Sequence, residues 1–290
     1  MAEKKRFFYG WLILLTCILI MGLGYAPLVS CASLFTKPVT EDLGFTRSGY
    51  ALVSTIAALM MAFMSPFIGK IMSKPYMHKA LVVCMIGNCL AYYCYSFAST
   101  LPQFYVTAAC IGFFECGSTM IPVSVLITNW FRKKRGLVMS IAMVGSSIGG
   151  TILSPIIGNL IASQGWRFTY KAVGITRLVI LVPLVLLVIR RTPADMGTKA
   201  YGADEEGETG KARKTEREWN VSLKEVKKKP MFWCFVLGCT LISATAAVIT
   251  QIPASVMDAG YATTTAASIA SLYLFIAIPG KLVLGHIYDR

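Results

Sequence analysis

Apolar residues run in long blocks along this chain, and the charged residues fall in short clusters between the blocks. A membrane helix needs about 20 apolar residues to cross roughly 30 Å of hydrocarbon. Eight segments meet that length, at about 8–34, 47–72, 79–98, 102–130, 136–162, 167–191, 230–257 and 262–288. The first follows Lys4, Lys5 and Arg6 and continues past the length of a signal peptide with no small-residue cleavage site, so it is a first span that stays on the chain.

Composition fits this pattern. The chain is 56% apolar and 14% charged over 290 residues, with a mean hydropathy of +0.63, and soluble domains carry about a quarter charged residues. The net charge of +14 lies between apolar blocks. It does not cluster with polar and aromatic neighbours as in a nucleic-acid binder, so it reports topology and no nucleic-acid partner is expected. Lys4 to Arg6, then Lys70, Lys74 and Lys79, then Arg132 to Arg135 occupy alternate loops, while Lys37 and Arg47 in an intervening loop are offset by Glu41 and Asp42. The excess of Lys and Arg marks the cytoplasmic side, which puts both termini in the cytoplasm of a multi-pass inner- or plasma-membrane protein, with Arg167 and Lys171 as exceptions.

Nine cysteines, at 17, 31, 84, 89, 94, 110, 116, 234 and 239, lie in or beside apolar stretches without metal-type spacing and are expected to pack as small hydrophobes. No Ser-His-Asp or Cys-His arrangement, metal cluster or phosphate loop accompanies His78 and His286, so neither an enzyme nor a cofactor is expected.

Residues 192–229 change abruptly to Gly, Glu, Lys and Arg, including Asp204 to Glu208 and Lys227 to Lys229. This is expected to be a mobile cytoplasmic linker, in which Ser222 and Glu225 have capping-box spacing for a short helix. It separates a six-span unit, 1–191, from a two-span unit, 230–290. A shift of 216 residues superposes Asp42-Leu43-Gly44-Phe45 on Asp258-Ala259-Gly260-Tyr261, Ala51 on Ala267, Gly69 on Gly285 and Ser73-Lys74 on Asp289-Arg290, without a gap. The repeats are parallel, a transporter plan in which the substrate site lies between the halves near the bilayer midplane.

Gly285-His286-Ile287-Tyr288-Asp289-Arg290 resembles the Gly-x-x-x-Asp-Arg gating signature of the major facilitator superfamily; the earlier copy runs from Gly69 to Lys74, with Ser73 where the family has an acid. Tyr9-Gly10-Trp11, Asn129 to Gly136 and Gly165-Trp166-Arg167 are similar to the oxalate/formate antiporter branch, related to monocarboxylate transporters. The resemblance implies an all-α polytopic membrane protein, with a six-helix N-terminal bundle plus the first two helices of the C-terminal bundle. Family members continue for four more helices, so the chain is expected to be truncated after the eighth.

A charge in the centre of a membrane helix costs about 2.5–3.5 kcal/mol, so each needs a partner or a role. Lys281 lies at the position where the resembled branch carries an arginine that binds the substrate carboxylate; snorkelling to the headgroups is the alternative. Glu115 is a candidate proton carrier, or else pairs with a basic or hydroxyl group. Arg177 is expected near the outer end of its span, snorkelling. The resemblance also places Tyr25 and Gln251 on the central cavity, and Gly145, Gly149, Pro155 and Gly158 are expected to pack helices. Together these residues imply alternating-access transport of a small organic anion such as oxalate, formate or lactate, by exchange or with protons. Efflux of an amphipathic drug and a non-transporting membrane protein are the rivals.

Overall fold

The computed structural model describes residues 8–202 and 223–289. Lys4, Lys5, Arg6, the linker stretch 203–222 with its acidic run and Ser222, and Arg290 lie outside the described residues. Among the described residues, seven helices are long and apolar enough to cross a membrane. One of them, Arg135–Val188, is 54 residues long and breaks at Gly165, where φ is 81° and ψ 165°. Only a residue without a Cβ adopts that backbone readily. The break yields two spans, and the eight expected crossings are α1 (Gly10–Leu43), α2 (Arg47–Met72), α3 (Met77–Phe97), α4 (Leu101–Trp130), α5 (135–164), α6 (166–188), α7 (Pro230–Asp258) and α8 (Thr263–Tyr288).

The repeat is visible in the backbone. α2 and α8 each have 26 residues, and both ends are offset by the same 216 positions. The glycines that precede them, Gly44 and Gly260, both take left-handed φ, of 66° and 92°.

α1 is not uniform. A π-helical turn, Ile20–Tyr25, interrupts it, a 3₁₀ turn follows at Ala32–Phe35, and a last α-helical stretch runs Thr36–Leu43. Lys37, Glu41 and Asp42, expected in a loop, are therefore helical: the stretch ends only where Gly44 provides the left-handed cap. α4 is broken at Thr119, with φ −123° and ψ −92°, and α7 at Gln251.

α5 is clasped between α1 and α8 through small residues. A Cβ on Gly149 would lie 2.2 Å from the carbonyl oxygen of Gly22, and one on Gly145 would lie 2.3 Å from that of Ile18. Towards α8, Gly158 meets Ala267, Gly150 meets Leu274, and Gly285 meets Ser140. Lipid offers no hydrophobic drive between helices, so this close approach and its dispersion hold the seam. Pro155 lies within α5.

The motif residues staple the two ends of the bundle. At the linker end Trp130 Nε1 donates to the carbonyl of Arg190, Asn129 to that of Arg191, and the Tyr9 hydroxyl to that of Val188. At the opposite end Trp166 Nε1 donates to Asp42, while Arg167 stacks 4.4 Å over the Trp166 ring and donates to the carbonyl of Ser96. Lys171 lies 5.1 Å over the ring of Phe97, so both exceptions to the charge rule are anchored by aromatic rings. The start of the linker makes specific contacts with the bundle. Thr192 and Asp195 form a capping box, and Tyr201 pairs with Phe131 and packs against Phe8 and Trp11.

Candidate functional site

Lys281 lies two turns inside α8 from Asp289, half-buried on α5. Its ammonium donates to the hydroxyls of Ser147 (2.7 Å) and Ser146 (2.9 Å) and to the carbonyl of Met143 (3.2 Å). All three acceptors are neutral, and among the described residues no carboxylate lies within ion-pair distance of it. Because α5 belongs to the first unit and α8 to the second, this positive charge stands on the seam between them.

A second polar cluster is buried inside the first unit. Glu115, 4% exposed, accepts from Asn88 Nδ2 at 2.8 Å and from the Thr119 hydroxyl at 3.0 Å. Asn88 turns its other amide atom, Oδ1, towards Arg177, which donates to it and, at 2.9 Å, to the carbonyl of Gly24. The guanidinium lies 4.9 Å over the ring of Tyr92. The expectation that Arg177 snorkels is overturned: it lies at the middle of α6 and is 2% exposed, because an amide and a backbone carbonyl hold it in the interior. Carboxylate and guanidinium are thus linked through an amide that is acceptor to one and donor to the other. Thr119 belongs here for a local reason: its hydroxyl also bonds the carbonyl of Glu115, and the helix breaks at that residue.

Tyr25 ends the π turn and is half-buried. Gln251 is exposed at the break in α7, in an open recess lined also by Val248, Ile252, Ser255 and Tyr261, which includes neither Lys281 nor Tyr25. The structure therefore joins Lys281 to two serines and Gly24, the neighbour of Tyr25, to the cluster of Arg177 and Glu115, and leaves Gln251 apart.

The two copies of the repeated glycine motif differ. Asp289 accepts from the backbone N–H groups of Gly136 (2.8 Å) and Leu137 (2.7 Å), capping the N-terminus of α5 where the helix dipole favours a carboxylate. Gly285 has no room for a Cβ, since one would lie 2.1 Å from the Ser140 hydroxyl. In the first copy Gly69 faces open space, Lys74 is exposed, and the Ser73 hydroxyl turns back onto the carbonyl of Gly69.

Ser146, Ser147, Asn88 and Thr119 were not singled out from sequence. Small hydroxyl and amide residues inside an apolar run are common, and only a charge opposite them gives them meaning; the charges at 281 and 115 were the available signal. The Arg47 and Asp258 ion pair, which joins the turn before α2 to the end of α7, was also missed.

Human monocarboxylate transporter 2 is 24% identical over 229 residues, an alignment covering 78% of this chain and 45% of the human protein. The MFS-type transporter pytF of Aspergillus terreus is 26% identical over 207 residues, covering 71% of this chain and 61% of that one. The chain thus spans about half the length of these relatives, both of which are transporters and not enzymes. A bacterial homolog to the human lysosomal transporter Spinster, solved in an inward-facing and unoccupied conformation, superposes with a TM-score of 0.74 at 17% identity over 96% of this chain and 62% of its own, a likeness of fold. Residues 12–290 match the model of the Major Facilitator Superfamily, and the chain belongs to that family.

Proposed function

We propose that this chain forms the substrate-bearing seam of a transporter for small organic anions, mono- or dicarboxylates of the size of formate, lactate or oxalate, working by alternating access. The observation that carries this reading is the charge of Lys281. An ammonium inside a membrane helix is costly, and here only neutral oxygens solvate it. Its Coulomb attraction is left for an anion, which can replace a serine hydroxyl in the ammonium's shell. The names of the monocarboxylate transporters among its relatives support the same substrate class. Glu115 supplies a titratable group for coupling to protons, and the lysine- and arginine-rich linker end is the cytoplasmic one.

The test is counterflow of labelled formate, lactate and oxalate into proteoliposomes. Lys281→Gln is expected to lower carboxylate affinity at least tenfold, about 1.4 kcal/mol, while Lys281→Arg keeps uptake with altered preference among carboxylates. Unchanged affinity in the glutamine variant would remove the assignment.

A further inference from the structure

The arginine in the buried cluster is poorly satisfied. Nε and Nη1 of Arg177 have no hydrogen-bond partner among the described residues although the side chain is 2% exposed. Buried donors left unpaired are costly, so bulk stability is a poor reason for an arginine here. Its one contact with another helix's backbone is specific: Nη2 meets the carbonyl of Gly24, inside the π turn of α1. A π turn is a rare irregularity that occurs frequently at functional sites. Gly24 packs beside Thr119 and Leu181, where a Cβ would make ordinary contact (3.4 and 3.6 Å), on the helices that carry Glu115 and Arg177. The next residue is Tyr25.

We infer that Arg177 is a positioning residue: it clamps the π turn of α1 through the Gly24 carbonyl and thereby sets the placement of Tyr25, with Glu115 holding the arginine in line through Asn88. The clamp itself follows from the geometry; only its effect on substrate rests on the proposal of a central anion site. Glu115, Thr119, Asn88, Tyr92 and Arg177 come from α3, α4 and α6, so three helices converge on one turn of a fourth.

Two readouts test this. Arg177→Gln is expected to speed amide hydrogen exchange of residues 20–26 about tenfold while leaving 47–72 unchanged, and Arg177→Lys to recover part of the protection. If the glutamine variant does not fold, the lysine variant against wild type carries the comparison, with a smaller rise expected at 20–26. Unchanged exchange at 20–26, or an equal rise in every span, overturns the clamp. In lactate counterflow, Arg177→Gln and Tyr25→Phe are each expected to raise the half-saturating concentration about tenfold, and the double variant no further, because the first acts through the second. A roughly hundredfold rise in the double variant, or no effect of Tyr25→Phe, overturns the link to Tyr25. If wild type takes up no carboxylate, the anion reading fails and the exchange measurement alone decides the clamp.

Discussion

Arg47, the first residue of α2, forms a two-point ion pair with Asp258, the last residue of α7. Asp258 is the repeat counterpart of Asp42, which instead accepts from Trp166 within its own unit. One position of the repeat thus serves once inside a unit and once between units. Lys37 adds a second tie, donating to the carbonyl of Met257 at 2.7 Å.

A partly exposed ion pair is worth about 0.2–1 kcal/mol, which sets the size of the expected effect. Asp258→Arg should open the end opposite the linker by no more than about fivefold, and Arg47→Asp combined with Asp258→Arg should restore it. The check is the rate at which an impermeant maleimide labels buried Cys31, followed by mass spectrometry.

Gly69 and Gly285 are equivalent in the repeat and opposite in surroundings. Gly285→Ala should lower the unfolding temperature in detergent, as should Gly149→Ala, because each places a Cβ against atoms that cannot easily yield, at a cost of about 1–3 kcal/mol. Gly69→Ala should leave it unchanged.

Glu115 is the one buried carboxylate among the described residues. Glu115→Gln should abolish uptake driven by a proton gradient while lactate exchange persists at a reduced level, since the amide keeps a hydrogen-bonding side chain at that position but binds no proton. Loss of both modes in equal measure, in a variant of normal yield, would assign Glu115 to structure.

An epitope inserted at 204–210 should be reached by antibody only after cells are permeabilised. Labelling of intact cells would reverse the proposed orientation.

How much of this was legible in the sequence depended on the range of the interaction. Hydrophobic length locates all eight crossings, and the ungapped repeat anticipates the matched left-handed glycines at 44 and 260, because these are properties of the local chain. The small residues of α5 likewise declare a packing surface. Arg177 was misplaced because snorkelling is a rule about isolated helices, whereas its actual depth is fixed by Asn88 and Gly24 on two other helices. The π turn of α1 and the break at Thr119 were not anticipated, although Pro27 and Pro122, which follow them closely and lack the N–H of a regular helix, are their signal in the sequence.

The seam between α5 and α8 has a mechanical consequence. Directional bonds fasten it at three stations: Ser271 to the carbonyl of Thr151, Lys281 to Met143, Ser146 and Ser147, and Asp289 to Gly136 and Leu137. Between the first two stations Leu274 packs on Gly150, so the seam there is closed by dispersion and not by a directional bond. On the proposed anion reading, a carboxylate that draws on Lys281 takes the middle station and leaves the other two in place. α8 would then be held on either side of Lys281, at Ser271 and Asp289, and free to bow between them.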